Sequence, residues 1–106
     1  MKIIIDECLP KRLIHFFKDA DTYTVTQIGL NGYKDTALLD ALDAKEVDIF
    51  ITIDGNIEYQ QQFKNRTFGT IVIRAVSNRF ADLKQFQEVL QIAAMQIKKG
   101  MIIHIP

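Results

Sequence analysis

Short runs of aliphatic and β-branched residues without polar alternation constrain the fold of this chain more than any other feature. Such runs occur at residues 3–5, 49–52 and 70–73. A strand that has no polar face is typical of a parallel sheet covered on both sides. The sequence therefore predicts an α/β fold with a central, mainly parallel sheet.

Segments with apolar residues at three- and four-residue spacing separate these runs and predict helices. The alternation gives a three-layer fold with about five strands, and right-handed crossovers are then nearly obligatory. Gly100 is expected at the position after the end of the last helix. One helix is expected directly after Pro10, and three more are expected over residues 36–44, 57–63 and 81–99. The expected strands cover residues 3–5, 23–26, 49–52, 69–74 and 101–105.

The composition limits the classes of protein to which the chain can belong. Its 106 residues fit a single domain, residues 1–106. Thirteen basic and thirteen acidic residues give zero net charge, which argues against strong non-specific binding of nucleic acid. One cysteine excludes a disulfide framework and a multi-cysteine zinc site. The apolar runs are too short for a membrane span or a signal peptide, so we expect a cytoplasmic protein with no membrane partner.

Carboxylates stand where ligands bind in such sheets, at the carboxyl ends of the strands. Asp6 and Glu7 directly follow the first strand, Asp54 follows the third, and Asp35 stands where the second helix begins. If the first and third strands are neighbours, Asp6, Asp35 and Asp54 converge. Converging carboxylates repel one another unless a cation neutralises them, and Mg²⁺ prefers carboxylate and water oxygens. The pattern thus indicates a metal site that can polarise a phosphodiester and activate water.

Each of these residues also has a purely structural interpretation. Asp35 could cap the second helix, and Asp54 could belong to an ordinary turn after a strand. Asp40 and Asp43 fall on the polar face of a helix, where we expect them to be solvated. Cys8 has no visible His or Asp partner pattern, which favours a small half-buried side chain over a nucleophile.

Several short motifs together point to a family. Residues 1–10 read MKIIIDECLP, residues 29–35 read GLNGYKD, residues 51–54 read ITID and residues 77–79 read SNR. These motifs resemble those of the short PIN-like domain family related to VapC-type toxin ribonucleases, and the resemblance covers essentially the whole chain. It implies a three-layer PIN-like fold and a divalent-metal-dependent endoribonuclease, the toxin component of a toxin–antitoxin pair.

The resemblance also implies the composition of the site. Asp6, Asp35 and Asp54 match the family's acidic catalytic and metal-site residues, with Glu7 and Asn56 as further candidate ligands. The implied cofactor is Mg²⁺ or Mn²⁺, the implied substrate is RNA, and the implied partner is a small antitoxin protein. A homodimer is left open.

Two departures from the family pattern put the activity in question. Asn56 stands where the family usually has an aspartate, and Cys8 stands where it usually has an asparagine. An amide brings a carbonyl oxygen but no charge, so a second metal position is in doubt. Among the basic residues, Arg12 and Arg79 are the candidates for RNA binding.

Two alternatives remain open at this point. One is a catalytically weak or inactive PIN-like module that acts through a protein partner. The other is a phospho-acceptor signalling domain, which has paired acids after its first strand and an acceptor aspartate after its third. Such a domain also needs a hydroxyl after strand four and a lysine after strand five. Ser77 is near the first of these positions, but no lysine follows the last strand, which ends near Pro106.

Overall fold

The computed structural model of the chain describes residues 1–57 and 63–106, with Asp35 described by its backbone alone. The helix predicted over residues 57–63 therefore lies largely outside the described residues. None of the described helices has both the length and the apolar character needed to cross a membrane. In chain order the elements are β1 (Lys2–Ile5), a 3₁₀ helix (Lys11–Phe16), β2 (Asp21–Thr24), α1 (Asp35–Ala44), β3 (Ile49–Thr52), β4 (Gly69–Ile73), α2 (Phe80–Leu83), a second 3₁₀ helix (Lys84–Phe86), α3 (Gln87–Gln96) and β5 (Ile102–Ile105).

The described strands form one parallel sheet of five strands in the order β2-β1-β3-β4-β5. This confirms the predicted α/β fold. From β1 the chain steps to β2 on one side, whereas β3, β4 and β5 follow on the other side. The strand order therefore reverses between β1 and β3, and in open parallel sheets ligands bind at the carboxyl ends beside this reversal.

Both faces of the sheet are buried, which explains the strand runs without polar alternation. Successive side chains of a strand point to opposite faces, so Ile3 and Ile5 pack on one side and Ile4 on the other, all with no exposed surface. The first 3₁₀ helix and α3 cover the Ile3 face with Leu13, Phe16, Leu90 and Ala93. Helix α1 covers the Ile4 face with Leu38, Leu39 and Leu42.

The connections do not all have the same hand. The β2–β3 and β4–β5 connections step in the same direction across the sheet, but α1 and α3 lie on opposite faces. Two such connections necessarily have opposite hands, so the expectation of right-handed crossovers throughout is wrong. The physical reason is coverage: the six-residue 3₁₀ helix is too short to cover its face alone. Without α3, Ile71 and Ile73 would lose much of their cover on that face.

The long C-terminal helix predicted over residues 81–99 is interrupted and ends early. Helix α3 stops at Gln96, and Ile97 adopts an extended conformation. The side chain of Ile97 lies so close to Gly69 that a Cβ there would be 2.7 Å from Ile97 Cγ1. Gly100 has a φ of +79° but lies in the turn before β5, not directly after the helix. This packing of Ile97 onto β4 brings the chain down to the edge where β5 begins.

Strand β2 begins two residues earlier than the prediction over residues 23–26. It pairs in register with β1 from Lys2 beside Asp21 to Ile5 beside Thr24. The bounds of β2 therefore follow from its pairing with β1. Its own sequence predicts them less well, because β2 is an edge strand and need not be apolar on both faces.

Asp43 at the end of α1 is tied to the loop that precedes β4. Its Oδ1 accepts hydrogen bonds from the Thr67 N–H (2.9 Å) and hydroxyl (2.8 Å), and Arg66 bridges its Oδ2 and Asp40 Oδ1 at 2.7 Å each. Partial burial works against ionisation, but the hydrogen bonds from Thr67 and Arg66 outweigh it and lower the pKa of Asp43. Asp40 is largely exposed, as the sequence predicts, and Asp40 and Asp43 are in addition ion-pair partners of Arg66.

Replacing Asp43 with Ala is expected to lower the free energy of unfolding by about 2 kcal/mol, because charged hydrogen bonds are lost and Thr67 N–H loses its partner. A carboxylate whose folded-state pKa is depressed stabilises the fold above its unfolded-state pKa, about 3.9, and loses that effect as the pH falls through the folded-state value. The difference between wild type and Asp43→Ala should thus shrink at acid pH. Urea unfolding at neutral and acid pH measures both effects.

Asp40→Ala is the matched control for this measurement. The Asp40 side chain is 65% exposed, and within residues 1–57 and 63–106 its side-chain partner is Arg66, so its removal should cost clearly less, under about 1 kcal/mol. Equal losses for the two variants, or a loss for Asp43→Ala that does not change with pH, would contradict this account of the Asp43 contacts.

Candidate functional site

Asp6 and Asp54 come together at the reversal of the strand order. Ile5 of β1 lies beside Ile51 of β3, and the Asp6 N–H donates to the Ile51 carbonyl at 2.9 Å. Asp6 therefore leaves β1 at the level where β3 ends. Both carboxylates line one cavity of about 300 Å³, which is further lined by Glu7, Cys8, Tyr33, Lys34, Leu38 and Ile57.

The hydroxyl of Thr52 connects the two strand ends. Thr52 is the last residue of β3 and has no exposed surface. Its Oγ1 donates to Asp6 Oδ2 at 2.7 Å and accepts from the Asp54 N–H at 3.0 Å. Buried hydroxyl groups are almost always hydrogen-bonded, so a threonine at the end of an apolar strand was the available sequence signal. The sequence prediction assigned no role to Thr52.

The Asp6 carboxylate is oriented from three directions. Its Oδ1 accepts from the Glu7 N–H at 2.8 Å, and its Oδ2 accepts from the Thr52 hydroxyl and from Cys8 Sγ at 3.4 Å. An ionised carboxylate offers about four acceptor sites. Asp6 is thus held in a fixed orientation and retains acceptor capacity for a ligand.

Cys8 is a half-buried thiol within this arrangement, which confirms the prediction of a small half-buried side chain. Burial, together with the negative charge of Asp6, raises the pKa of Cys8 to about 11. The thiol is therefore protonated at neutral pH, and only a thiolate is strongly nucleophilic. Here Cys8 acts as a weak hydrogen-bond donor to Asp6.

Asp54 belongs to a turn and also lines the cavity. Its Oδ1 accepts from the Asn56 N–H at 3.0 Å, which is the side-chain hydrogen bond of a turn. The same side chain is exposed and lines the cavity with Asp6. Glu7 also lines the cavity, whereas Asn56 is exposed and contributes its backbone N–H to the turn.

Asp35 is the first residue of α1, and Lys34 occupies the capping position before it. The alternative interpretation, in which Asp35 occupies the capping position, does not match this helix start. The Asp35 side chain lies outside the described part of the structure, so its convergence with Asp6 and Asp54 stays a prediction. Among the described residues, no group of three or more His, Cys, Asp or Glu side chains is arranged to hold a metal ion.

The basic residues differ in their relation to the cavity. Lys34 lines it directly. The Arg12 guanidinium lies over the Phe80 ring, 4.1 Å from its centroid, and Arg79 Nε is 3.8 Å from Asp82 Oδ2. Neither arginine is among the described residues that line the cavity. Their role in RNA binding stays a prediction.

The loop that follows β4 is attached to the site by side-chain hydrogen bonds. Asn78 Nδ2 donates to the Cys8 carbonyl at 3.0 Å, and the Ser77 hydroxyl donates to Asp82. Sequence reasoning missed Asp82, because an acidic residue in the first turn of a short helix carries no distinguishing signal. Its contact with Ser77 fixes the loop that bears Arg79.

Comparison of the chain with protein-family models, with curated proteins and with solved structures finds no match.

Proposed function

We propose that this chain is a divalent-metal-dependent endoribonuclease of the PIN-like type, a cytoplasmic toxin paired with a small antitoxin protein. The observation that carries the proposal is the meeting of Asp6 and Asp54 in one cavity at the reversal of the strand order. Their strand ends are connected through the buried hydroxyl of Thr52. Two carboxylates held together in this way are suited to a hard cation.

The donor set fits Mg²⁺ or Mn²⁺. Protein sites for Mg²⁺ often supply only one or two carboxylates and leave the remaining positions to water and substrate phosphate. Asp6 and Asp54 would supply these carboxylates, with Asp35 as the third and Glu7 or Asn56 as further ligands. When bound, the ion would polarise the scissile phosphate and acidify a bound water.

The other residues of the cavity favour a single-stranded substrate. A volume of about 300 Å³ is at the small end of ligand pockets and is enough for a phosphate group. Lys34 on the cavity wall would attract the phosphate as a positive charge. Tyr33 beside it offers a ring on which an unpaired base can stack.

The direct test is cleavage of a panel of single-stranded RNAs by the purified protein with Mn²⁺ or Mg²⁺. We expect cleavage that stops when EDTA is added. If no RNA is cut with either metal, the enzyme proposal fails, and a module that acts only through a protein partner becomes the better account.

One observation favours the phospho-acceptor alternative. The strand order is that of a doubly wound fold whose site lies beside β1 and β3, and Asp54 is exposed after β3. The Ser77 hydroxyl, which would have to contact a phosphoryl group, is instead bonded to Asp82. Incubation with acetyl phosphate separates the two proposals, because labelling at Asp54 that hydroxylamine and base remove is expected of the phospho-acceptor and not of the nuclease.

A further inference from the structure

A guanidinium group near the candidate site is held in place without an ionic partner. The Arg12 guanidinium lies over the Phe80 ring, 4.1 Å from its centroid, and the Phe80 ring packs against the ring of buried Phe16 with 5.7 Å between the centroids. Arg12 is exposed, and within the described residues no carboxylate forms an ion pair with it. The ring therefore orients this charge, while its N–H donors remain available to a ligand.

Arg79 brings a second guanidinium group to the same surface, because it directly precedes Phe80. Its side chain is 83% exposed, and its Nε lies 3.8 Å from Asp82 Oδ2, well beyond the roughly 2.7–2.9 Å of a charged hydrogen bond. Asp82 already accepts a hydrogen bond from the Ser77 hydroxyl. The donors of Arg79 are therefore also available. We define Arg12, Arg79 and Phe80 as the Phe80 surface.

The Phe80 surface is joined to the cavity that contains Asp6 and Asp54. Asn78 Nδ2 donates to the carbonyl of Cys8 at 3.0 Å, and Cys8 lines the cavity. Arg12 follows Cys8 by four residues, which span at most about 14 Å even in an extended chain. One extended strand of nucleic acid can therefore occupy the cavity and the Phe80 surface together.

We propose that the Phe80 surface is a second subsite for single-stranded RNA, where Arg12 and Arg79 bind backbone phosphates outside the cavity. This inference rests on the proposed function, which supplies RNA as the ligand. The fork of donors on each arginine matches phosphate oxygens, and the flat guanidinium group stacks on an unpaired base. The RNA would then extend from the cavity across Cys8 and Asn78 to Arg12.

The pattern of side chains favours RNA over an acidic polypeptide. Lys34 and Tyr33 line the cavity before α1, which covers the Ile4 face, whereas Phe80 packs on the Ile3 face. Each side of the acidic pair thus combines a cation with an aromatic ring. This combination matches a strand that alternates phosphates with flat bases. An acidic polypeptide would require only the cations.

The salt dependence of RNA binding tests the proposal. Fluorescence anisotropy of a labelled single-stranded RNA of about eight nucleotides, in EDTA so that no metal-dependent cleavage occurs, gives the affinity at several salt concentrations. Arg12→Gln and Arg79→Gln should each weaken binding on the order of tenfold. Each should also reduce the slope of log affinity against log salt by about 0.7, because each loses one phosphate contact.

Two further variants serve as controls. Lys99→Gln removes an exposed cation at the amino edge of the sheet, beside Asp48 and Ile49, and should leave affinity and slope unchanged. Arg12→Lys keeps the charge and should keep the slope. All four positions of substitution, counting Arg12 twice, are exposed, so each variant should show the wild-type circular dichroism spectrum.

The subsite would be overturned by wild-type slopes in both glutamine variants, by an equal loss of slope in Arg12→Lys, or by a wild type that binds no RNA at low salt. Tighter binding of a polyglutamate peptide than of RNA of equal charge, lost in the same variants, would also overturn it. These results are separate from those for the proposed function. Cleavage with unchanged slopes keeps the nuclease and removes the subsite, whereas arginine-dependent binding without cleavage in Mn²⁺ keeps the subsite and removes the nuclease.

Discussion

Asp6→Asn and Asp54→Asn are each expected to lower the rate of metal-dependent RNA cleavage on the order of 100- to 1,000-fold. Each variant keeps the shape of the side chain but removes an anionic oxygen from the cavity that the two carboxylates share. The cation that they hold would stabilise the charge on the scissile phosphate, and losing such electrostatic stabilisation costs rates of this order. Initial rates on a single-stranded RNA, with Mn²⁺ in excess, measure the effect.

Asp21→Asn provides the control for this comparison. Asp21 is an exposed carboxylate at the amino end of β2, at the opposite edge of the sheet from the cavity. Its variant should cleave at the wild-type rate, and all three variants should show wild-type circular dichroism. Wild-type cleavage by folded Asp54→Asn would show that this carboxylate belongs only to the turn that it forms with the Asn56 N–H.

Gly100→Ala is expected to lower the free energy of unfolding by about 2–5 kcal/mol. Gly100 has a φ of +79°, a conformation that costs an L-residue roughly 1–2 kcal/mol. A Cβ at this position would also lie 2.5 Å from the carbonyl oxygen of Lys64, which is backbone and cannot rotate away. Forcing the two segments apart adds about 1–3 kcal/mol. Urea unfolding of the two proteins measures the difference.

Gly32→Ala separates the two contributions. Gly32 has a similar φ of +86°, but a Cβ there would meet no atom within 4 Å. Its variant should therefore lose only the conformational part, about 1–2 kcal/mol. Equal losses for Gly32→Ala and Gly100→Ala would show that the contact with Lys64 does not constrain the turn before β5.

The buried strands could be predicted closely from the sequence because burial on both faces leaves a clear pattern. Residues 49–52 were predicted as a strand and form β3 with those bounds. The same pattern placed Asp6 and Asp54 after the carboxyl ends of two strands, and the structure shows that these strands are neighbours. In a parallel sheet the carboxyl ends lie at one edge, so finding the strands placed both residues at that edge, whereas the order of the strands had to come from the structure.

The remaining features depend on contacts between distant segments, which periodicity does not carry. The end of α3 at Gln96 depends on the packing of Ile97 against Gly69. The role of Thr52 depends on Asp6, which is 46 residues away in the sequence. The face that α3 covers depends on how much of the sheet the first 3₁₀ helix leaves open. A local pattern gives an element's type, but such contacts decide where it ends and where it packs.

Titration of the protein with Mn²⁺, followed by the electron paramagnetic resonance signal of the free ion, tests the central claim directly, because it requires neither a known RNA nor turnover. The claim is that Asp6 and Asp54 together hold a divalent cation. We expect wild type and Asp21→Asn to bind Mn²⁺ with equal affinity, and Asp6→Asn and Asp54→Asn to bind it at least about tenfold more weakly, since each loses one anionic ligand. Equal Mn²⁺ affinity in wild type and in both cavity variants, or no binding by the wild type, would contradict the claim.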